Sequence, residues 1–260
     1  MITITNLSKS FQLSRQQKKE MNYAQQGDTV HAVKNVSFTC QPGRVFTLLG
    51  PNGAGKTTTL RMIATILKPT SGTIVVNGFD TVTNGVDVRQ NLGFLTGSTG
   101  LYDRLTPDET INYFGRLNGM DEDTLQRRKK ELFDLLGINE FAHRRVGKFS
   151  TGMKQKVSIA RTMIHDPQVV VFDEPTSGLD VIAAKSIIEL IRQCKRENKT
   201  IILSTHIMSE VNMLADDLAI IYKGDLIYNG LFEDFKKGMR ENTLEDEFIR
   251  MAQEHEPAII

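Results

Sequence analysis

The stretch 45-VFTLLGPNGAGKTTTLRMIATIL-67 decides the fold. Its first five residues, 45-VFTLL-49, have the length and composition of a buried strand, and 57-TTTLRMIATIL-67 sets Leu60, Ile63, Ala64 and Leu67 at helical spacing. The turn between them, 50-GPNGAGKT-57, satisfies G-x-x-x-x-G-K-[ST] in the strand-to-helix context that gives this pattern physical meaning. A glycine-rich turn from strand to helix does not by itself require Lys and Thr at this spacing, whereas phosphate binding does. Glycines let consecutive main-chain N–H groups point inward, and the positive end of the helix dipole lies behind them. Gly50, Pro51, Asn52, Gly53, Ala54 and Gly55 would wrap a triphosphate, with Lys56 on its β- and γ-phosphates. Thr57 would coordinate Mg²⁺, and Thr58 would donate to an inner phosphate.

Working outward, residues 2–7 alternate as a half-buried strand and 29-TVHAVKNVSFTC-40 alternates again, which predicts an antiparallel pair. Between them 12-QLSRQQKKEMNYAQQGD-28 is polar and reads as a long loop or insertion. Downstream, 73-TIVVNG-78 is a further strand, and the block from about 91 to 150 looks mainly helical, an inserted lobe. Within it, 122-EDTLQRRKKELFDLLG-137 carries Leu125, Leu132 and Leu136 on one face and ends in a capping glycine. Its basic run Arg127–Lys130 reads as a solvated helix face, since no aromatic residue interleaves it as nucleic-acid binding would favour. The runs 168-QVVVF-172 and 201-IILS-204 are continuously apolar, as in a parallel sheet covered on both faces. Asp180 can N-cap a helix whose apolar face is Ala183, Ile187, Leu190, Ile191 and Cys194. The segment 218-LAIIYKGDLIYNG-230 has the form of a hairpin turning at Lys223-Gly224, and 231–260 is a charged, partly helical tail. The sum is an α/β chain: a phosphate-loop core with an antiparallel β subdomain and an inserted helical lobe.

Composition sets the outer limits. In 260 residues, hydrophobic side chains make up 40% and charged ones 24%, which excludes a disordered, collagenous or disulfide-scaffold chain. Lys plus Arg at 32 against Asp plus Glu at 31 leaves +1, so no global field draws nucleic acid or an anionic membrane. The two cysteines, Cys40 and Cys194, sit in apolar patterns and form no CxxC, and a reducing cytoplasm is the simpler reading. The start, MITITNLSKS, lacks the features of a signal peptide, and no apolar run approaches the ~20 residues of a membrane helix.

A second acidic element follows the lobe. Asp173-Glu174 ends an apolar strand, so Asp173 can hold Mg²⁺ and Glu174 can polarise an attacking water as general base. Two adjacent acids in a loop are ordinarily just solvated; after such a strand, in a chain with a phosphate loop, the catalytic reading is the stronger one.

These elements stand in a family's order: the phosphate loop 50–57, 149-FSTGM-153, 169-VVVFDE-174, 177-SGLD-180 and the histidine of 204-STHIMSE-210. The chain resembles the ATP-binding subunit of an ABC transporter over roughly residues 2–230. The resemblance implies an ABC ATPase fold and MgATP hydrolysis between two head-to-tail copies. Each ATP would lie between the phosphate loop of one copy and Ser150, Thr151 and Gly152 of the other. It also implies that His206 touches the γ-phosphate and helps orient the water, that Asp180 contacts the opposite copy, and that Phe11 stacks on adenine, with Tyr23 of the insertion as the alternative. Ser150 and Asp180 also read as ordinary helix caps. The implied partners are a second copy of the chain and an integral membrane permease docked on the lobe, without nucleic acid, at the cytoplasmic face of the cell membrane.

Two features depart from the family pattern. Where a Gln usually contacts Mg²⁺ and water, the alignment of 93-GFLTGSTGLYDRLTPDE-109 puts Gly97, so Thr96, Ser98 or a water must substitute or the contact is missing. The signature is Ser-Thr-Gly-Met in place of Ser-Gly-Gly-Gln. That variation resembles exporters whose membrane subunit is a separate six-helix protein, and within that group the segment 94–107 and the long insertion after the first strand make the chain look most like the ATPase subunit of bacterial sodium-extruding exporters. Export of a drug, lipid or polysaccharide, or a non-transport regulatory ATPase, are the alternatives.

Overall fold

The computed structural model describes residues 1–13, 28–96 and 100–255. Most of the insertion, with Tyr23, and the positions Gly97 and Ser98 therefore lie outside the described residues.

Two sheets meet in a common core. Strands β1 (Ile2–Gln12) and β2 (Thr29–Cys40) pair antiparallel, and β4 (Ser71–Val76) and β5 (Phe79–Asp80) complete a sheet of order β2-β1-β4-β5. The second sheet has the order β10 (Asp225–Leu231), β9 (Asp217–Tyr222), β3 (Val45–Leu49), β8 (Thr200–Thr205), β7 (Val169–Asp173) and β6 (Leu92–Thr96). At its centre is β3, parallel to β8 on one side and to β9 on the other. Beyond β8 come β7 and β6, both parallel. The last strand, β10, returns antiparallel through Lys223 (φ 49°) and Gly224 (φ 88°), the two left-handed residues a tight hairpin turn demands.

The continuous apolar runs are explained by burial on both faces. In β7, Val170 and Phe172 join the core beneath the helical block, while Val169 and Val171 join the core shared with the antiparallel sheet. The helical block itself comprises α3 (Pro107–Leu117), α4 (Glu122–Leu136) and α5 (Thr151–Met163). Thr106 and Glu109 form a capping box on α3, Asp121 caps α4 through Thr124 N, and Gly137 (φ 62°) ends α4 as the sequence predicts. Ile111, Leu125 and Leu132 share one apolar cluster with Phe172 and Ile187, so the helices continue the sheet's core.

Two expectations need correction. The block from 91 is not helical at its start: Leu92–Thr96 is β6, the edge of the parallel sheet, after the short helix α2 (Gly85–Asn91). A Cβ on Gly93 would stand 2.9 Å from Pro167 Cγ and from Thr162 O, so this glycine allows the strand to lie against α5 and the turn behind it. The basic run of α4 is not simply solvated either: Lys129 Nζ pairs with Asp108 at 2.6 Å and Arg128 with Asp166 at 2.9 Å, tying α4 to its neighbours. The tail is partly helical and packs on the sheet. Helices α8 (Phe232–Gly238) and α9 (Leu244–His255) bury Phe232, Phe235 and Leu244 against Leu49, Leu218 and Ile220. At roughly 1.5–3 kcal/mol per large apolar side chain, this burial fixes the tail to the sheet.

Helix α6 (Val181–Arg196) buries the predicted face, Ala183, Ile187, Leu190, Ile191 and Cys194, and both cysteines are free and buried. Among the described residues no helix is long and apolar enough to cross a membrane.

Candidate functional site

Strand order makes the site. Between β8 and β9 the chain passes from one side of β3 to the other, and ligands of open parallel sheets bind at the carboxyl ends of the strands beside such a switch. Register brings those ends level: Leu49 lies opposite Thr205, and Asp173 opposite Ser204 and Thr96.

After β3 the chain turns through residues 50–55 into α1 (Lys56–Ile63). Gly55 has φ 109°, and a Cβ there would come 2.3 Å from Ala32 O; on Gly50 it would come 2.3 Å from Ile221 O. The loop is thus wedged between β2 and β9 and admits only glycine at both points. No side chain caps α1, whose N-cap is Gly55, so its first N–H groups are left for an anion. A hollow of ≈ 130 Å³ over the loop is lined by Ala32, Pro51 to Thr58 and Glu174.

Side chains complete the arrangement. Lys56 is 4% exposed, and its Nζ donates to Gly50 O at 2.7 Å and Pro51 O at 3.1 Å. The same ammonium pairs with Glu174 Oε1 at 3.2 Å, and His206 Nδ1 lies 3.2 Å from Glu174 Oε2. Glu174 has φ 49°, a left-handed backbone that costs a non-glycine residue of order 1–3 kcal/mol and recurs at functional sites. It is held there by its N–H, which donates to Ser204 O (3.1 Å) and Ser204 Oγ (3.2 Å).

Thr57 Oγ1 donates to Asp173 Oδ1 at 3.0 Å, and Ser204 Oγ to the same oxygen at 2.7 Å. Hydroxyl and carboxylate oxygens are the hard donors Mg²⁺ takes, so Thr57 and Asp173 fit that ion.

A cleft of ≈ 360 Å³ beside the loop is lined by Asn52, Thr57, Asp173 and Glu174, and by Thr151, Gln155, Ser177 and Leu179. Thr151 therefore reaches the same cleft as the phosphate loop, while Ser150 and Gly152 do not line it. Ser150 caps α5 through Met153 N at 3.3 Å, and Asp180 caps α6 through Ala183 N at 2.8 Å. A Cβ on Gly152 would sit 3.6 Å from Ala183 Cβ, so the starts of α5 and α6 abut. Phe11 lies on β1 opposite Val30, 37% exposed, with Lys9 Nζ 5.1 Å from its ring centroid.

Sequence reasoning missed four contributors. Ser204 bridges Asp173 and Glu174; Gln155 Nε2 donates to Pro175 O at 2.9 Å; Ala32 walls the loop; and Phe248 of α9 closes a further hollow of ≈ 280 Å³ with Gly50, Pro51, Asn52, His206 and Met208. Ser204 opens a quoted motif, 204-STHIMSE-210, and Gln155 follows another, 149-FSTGM-153, by two positions, but their roles depend on which strands and helices are neighbours.

An anion-binding loop at the switch point of a parallel sheet, with paired acids at the end of β7 two strands away, defines a nucleoside triphosphatase. The family follows from comparison: the model described as ABC transporter matches residues 33–177, and the chain belongs to that family as an ATP-hydrolysing, ATP-binding subunit. A relative from Bacillus subtilis, ABC transporter ATP-binding protein NatA, is 46% identical, covering 94% of this chain and 95% of its own length. The bacitracin transport ATP-binding protein BcrA of Bacillus licheniformis is 36% identical over 81% of this chain and 68% of its own. A solved structure of an ATP-binding subunit of an ABC transporter superposes with TM-score 0.82 at 26% identity, covering 96% of this chain and 99% of that one. The dimeric structure of MJ0796, a bacterial ABC transporter cassette, shares the fold with TM-score 0.76 at 23% identity, covering 89% of this chain and 98% of that one.

Proposed function

We propose that this subunit hydrolyses MgATP between two head-to-tail copies and drives export through a separate membrane permease. The observation that carries the reading is the Glu174 carboxylate, flanked by Lys56 on one oxygen and His206 on the other. A γ-phosphate drawn to Lys56 and His206 lies beside the carboxylate that must take the proton of the attacking water. The water oxygen then bonds to the γ-phosphorus as the bond to the bridging oxygen breaks, giving ADP and phosphate. Residues 50–58 hold the phosphates, mainly by main-chain N–H groups. Thr57 and Asp173 would hold Mg²⁺, which when bound neutralises charge on the phosphate oxygens. Ser150, Thr151 and Gly152 of the second copy supply further donors from the start of α5. A single copy is therefore a poor catalyst.

The adenine stacks on Phe11. Next to Gly97, which stands at the position of the family's Gln, Thr96 is the polar side chain whose register with Asp173 supports a substitute contact. The permease docks on the helical block, a placement supported by the exposed Tyr102, Tyr113 and Leu117 there. The subunit thereby works at the cytoplasmic face of the membrane. Sodium is the proposed cargo, on the resemblance carried by residues 94–107 and the insertion after the first strand.

Light scattering after size exclusion with MgATP, together with phosphate release, tests the mechanism. Glu174→Gln is expected to lose ~10²–10⁴-fold in kcat and to become an ATP-dependent dimer. A variant that hydrolyses like wild type and stays monomeric overturns it.

A further inference from the structure

Both oxygens of one buried carboxylate are taken by hydroxyls from two different loops of the site. Glu210, 7% exposed on α7 (Met208–Leu214), accepts from Thr176 Oγ1 through Oε1 and from Thr205 Oγ1, at 2.6 Å, through Oε2. Thr205 Oγ1 accepts in turn from Ile207 N at 3.0 Å, so its proton is committed to Glu210. Burying a carboxylate against neutral hydroxyls is costly, and a leucine of similar size would satisfy packing alone at this point.

The two threonines show what the carboxylate accomplishes. Thr176 is two residues beyond Glu174, separated from it by Pro175, whose ring fixes its own φ and whose carbonyl accepts from Gln155 at 2.9 Å. Thr205 immediately precedes His206, and Ile207 N closes the other side of that histidine. One rigid acceptor thus spans the turn that aims Glu174 and the turn that aims His206, and their side chains meet at 3.2 Å. Ser204 fixes Glu174 N from the strand side, so the left-handed backbone of Glu174 is held at both of its ends.

We infer that Glu210 is a positioning residue for hydrolysis: through Thr176 and Thr205 it holds the Glu174 and His206 loops in one fixed geometry. This rests on the proposed roles of Glu174 and His206.

Steady-state phosphate release by the full chain separates this from a merely structural role. Misplacement of reacting groups by about 1 Å costs on the order of 10²-fold in rate, so Glu210→Leu is expected to lower kcat ~10–100-fold with KM for MgATP within about twofold. Glu210→Gln can still accept from Thr205 and donate to Thr176, and should recover most of the lost kcat. Thr205→Val keeps shape and removes one anchor; it should lower kcat about three- to tenfold at unchanged KM, and it carries the test should Glu210→Leu fail to fold. The inference is overturned if Glu210→Leu and Thr205→Val both turn over at the wild-type rate, or if kcat, nucleotide affinity and thermal midpoint fall together. Glu174→Gln in the same assay keeps the premise separate: if that variant hydrolyses normally, the base assignment fails whatever Glu210 does.

Discussion

The two halves of the site are held by different means. The phosphate loop is a main-chain object: Gly50 and Gly55 press against the carbonyls of Ile221 and Ala32, and Lys56 closes the ring from inside through Gly50 O and Pro51 O. The face opposite is a side-chain object: Asp173, Glu174, Ser204, Thr205, His206 and Glu210 are locked to one another by hydroxyl and carboxylate contacts across β7 and β8. Main chain in a wedged turn tolerates almost no change of shape, whereas a network of short polar side chains loses one contact at a time. The first half should therefore fail abruptly and the second by degrees.

The largest effect is expected at the wedge. Gly55→Ala combines a left-handed backbone, worth ~1–2 kcal/mol, with a Cβ driven into a backbone oxygen, a further ~1–3 kcal/mol. Gly53 has φ 81° but nothing within 4 Å of its Cβ position, so Gly53→Ala bears only the backbone part. Urea denaturation of the two variants should differ by about the cost of the clash, ~1–3 kcal/mol, and Gly55→Ala should also lose ATP binding. Equal losses would mean that the loop is not wedged against β2.

The side-chain half gives a smaller and chemically selective response. Ser204→Ala removes the donor to Asp173 Oδ1 and one of two acceptors for Glu174 N, leaving Ser204 O in place. The expected cost is ~1–3 kcal/mol in stability, since the lost bond is to a charged group. Because Asp173 Oδ1 would then be held by Thr57 alone, the Mg²⁺ concentration for half-maximal hydrolysis should rise ~10–100-fold, in line with lost partners of metal ligands. An unchanged Mg²⁺ dependence would place the ion elsewhere than on Asp173.

The same contrast explains what the sequence makes legible. The phosphate loop is contiguous, so strand, turn and helix can be read as one local pattern in 45–67. The acids and the histidine are also visible, because each directly follows an apolar strand. Their partners are not: a Glu four residues after a His on a short helix reads as a solvated first-turn acid, and only the adjacency of β7 and β8 brings Thr176 to it. The strand 92-LGFLT-96 escapes for a related reason: its glycine answers to the turn at Pro167, seventy-four positions away in sequence, and to α5, neither of which leaves a mark on five residues. Phe248 is likewise invisible, since an aromatic in a charged helix gives no hint that the phosphate loop is its neighbour.

Asp180 gives the smallest effect and the sharpest distinction, because it has both a structural and a proposed functional reading. Its Oδ1 accepts from Ala183 N at 2.8 Å, and two exposed apolar residues, Val181 and Ile182, follow it. As an N-cap it contributes about 1 kcal/mol, and Asn caps about as well as Asp. Asp180→Ala should therefore lower the stability of the monomer by about 1 kcal/mol, whereas Asp180→Asn should leave it within a few tenths. Contact with a second copy depends on the charge, which capping does not. If Asp180→Asn keeps its stability yet requires more MgATP to dimerise in the Glu174→Gln background, the carboxylate serves the opposite copy as well as its own helix. If dimerisation is unaffected, Asp180 is a cap alone, and the contact between copies must come from Val181, Ile182 or the start of α5.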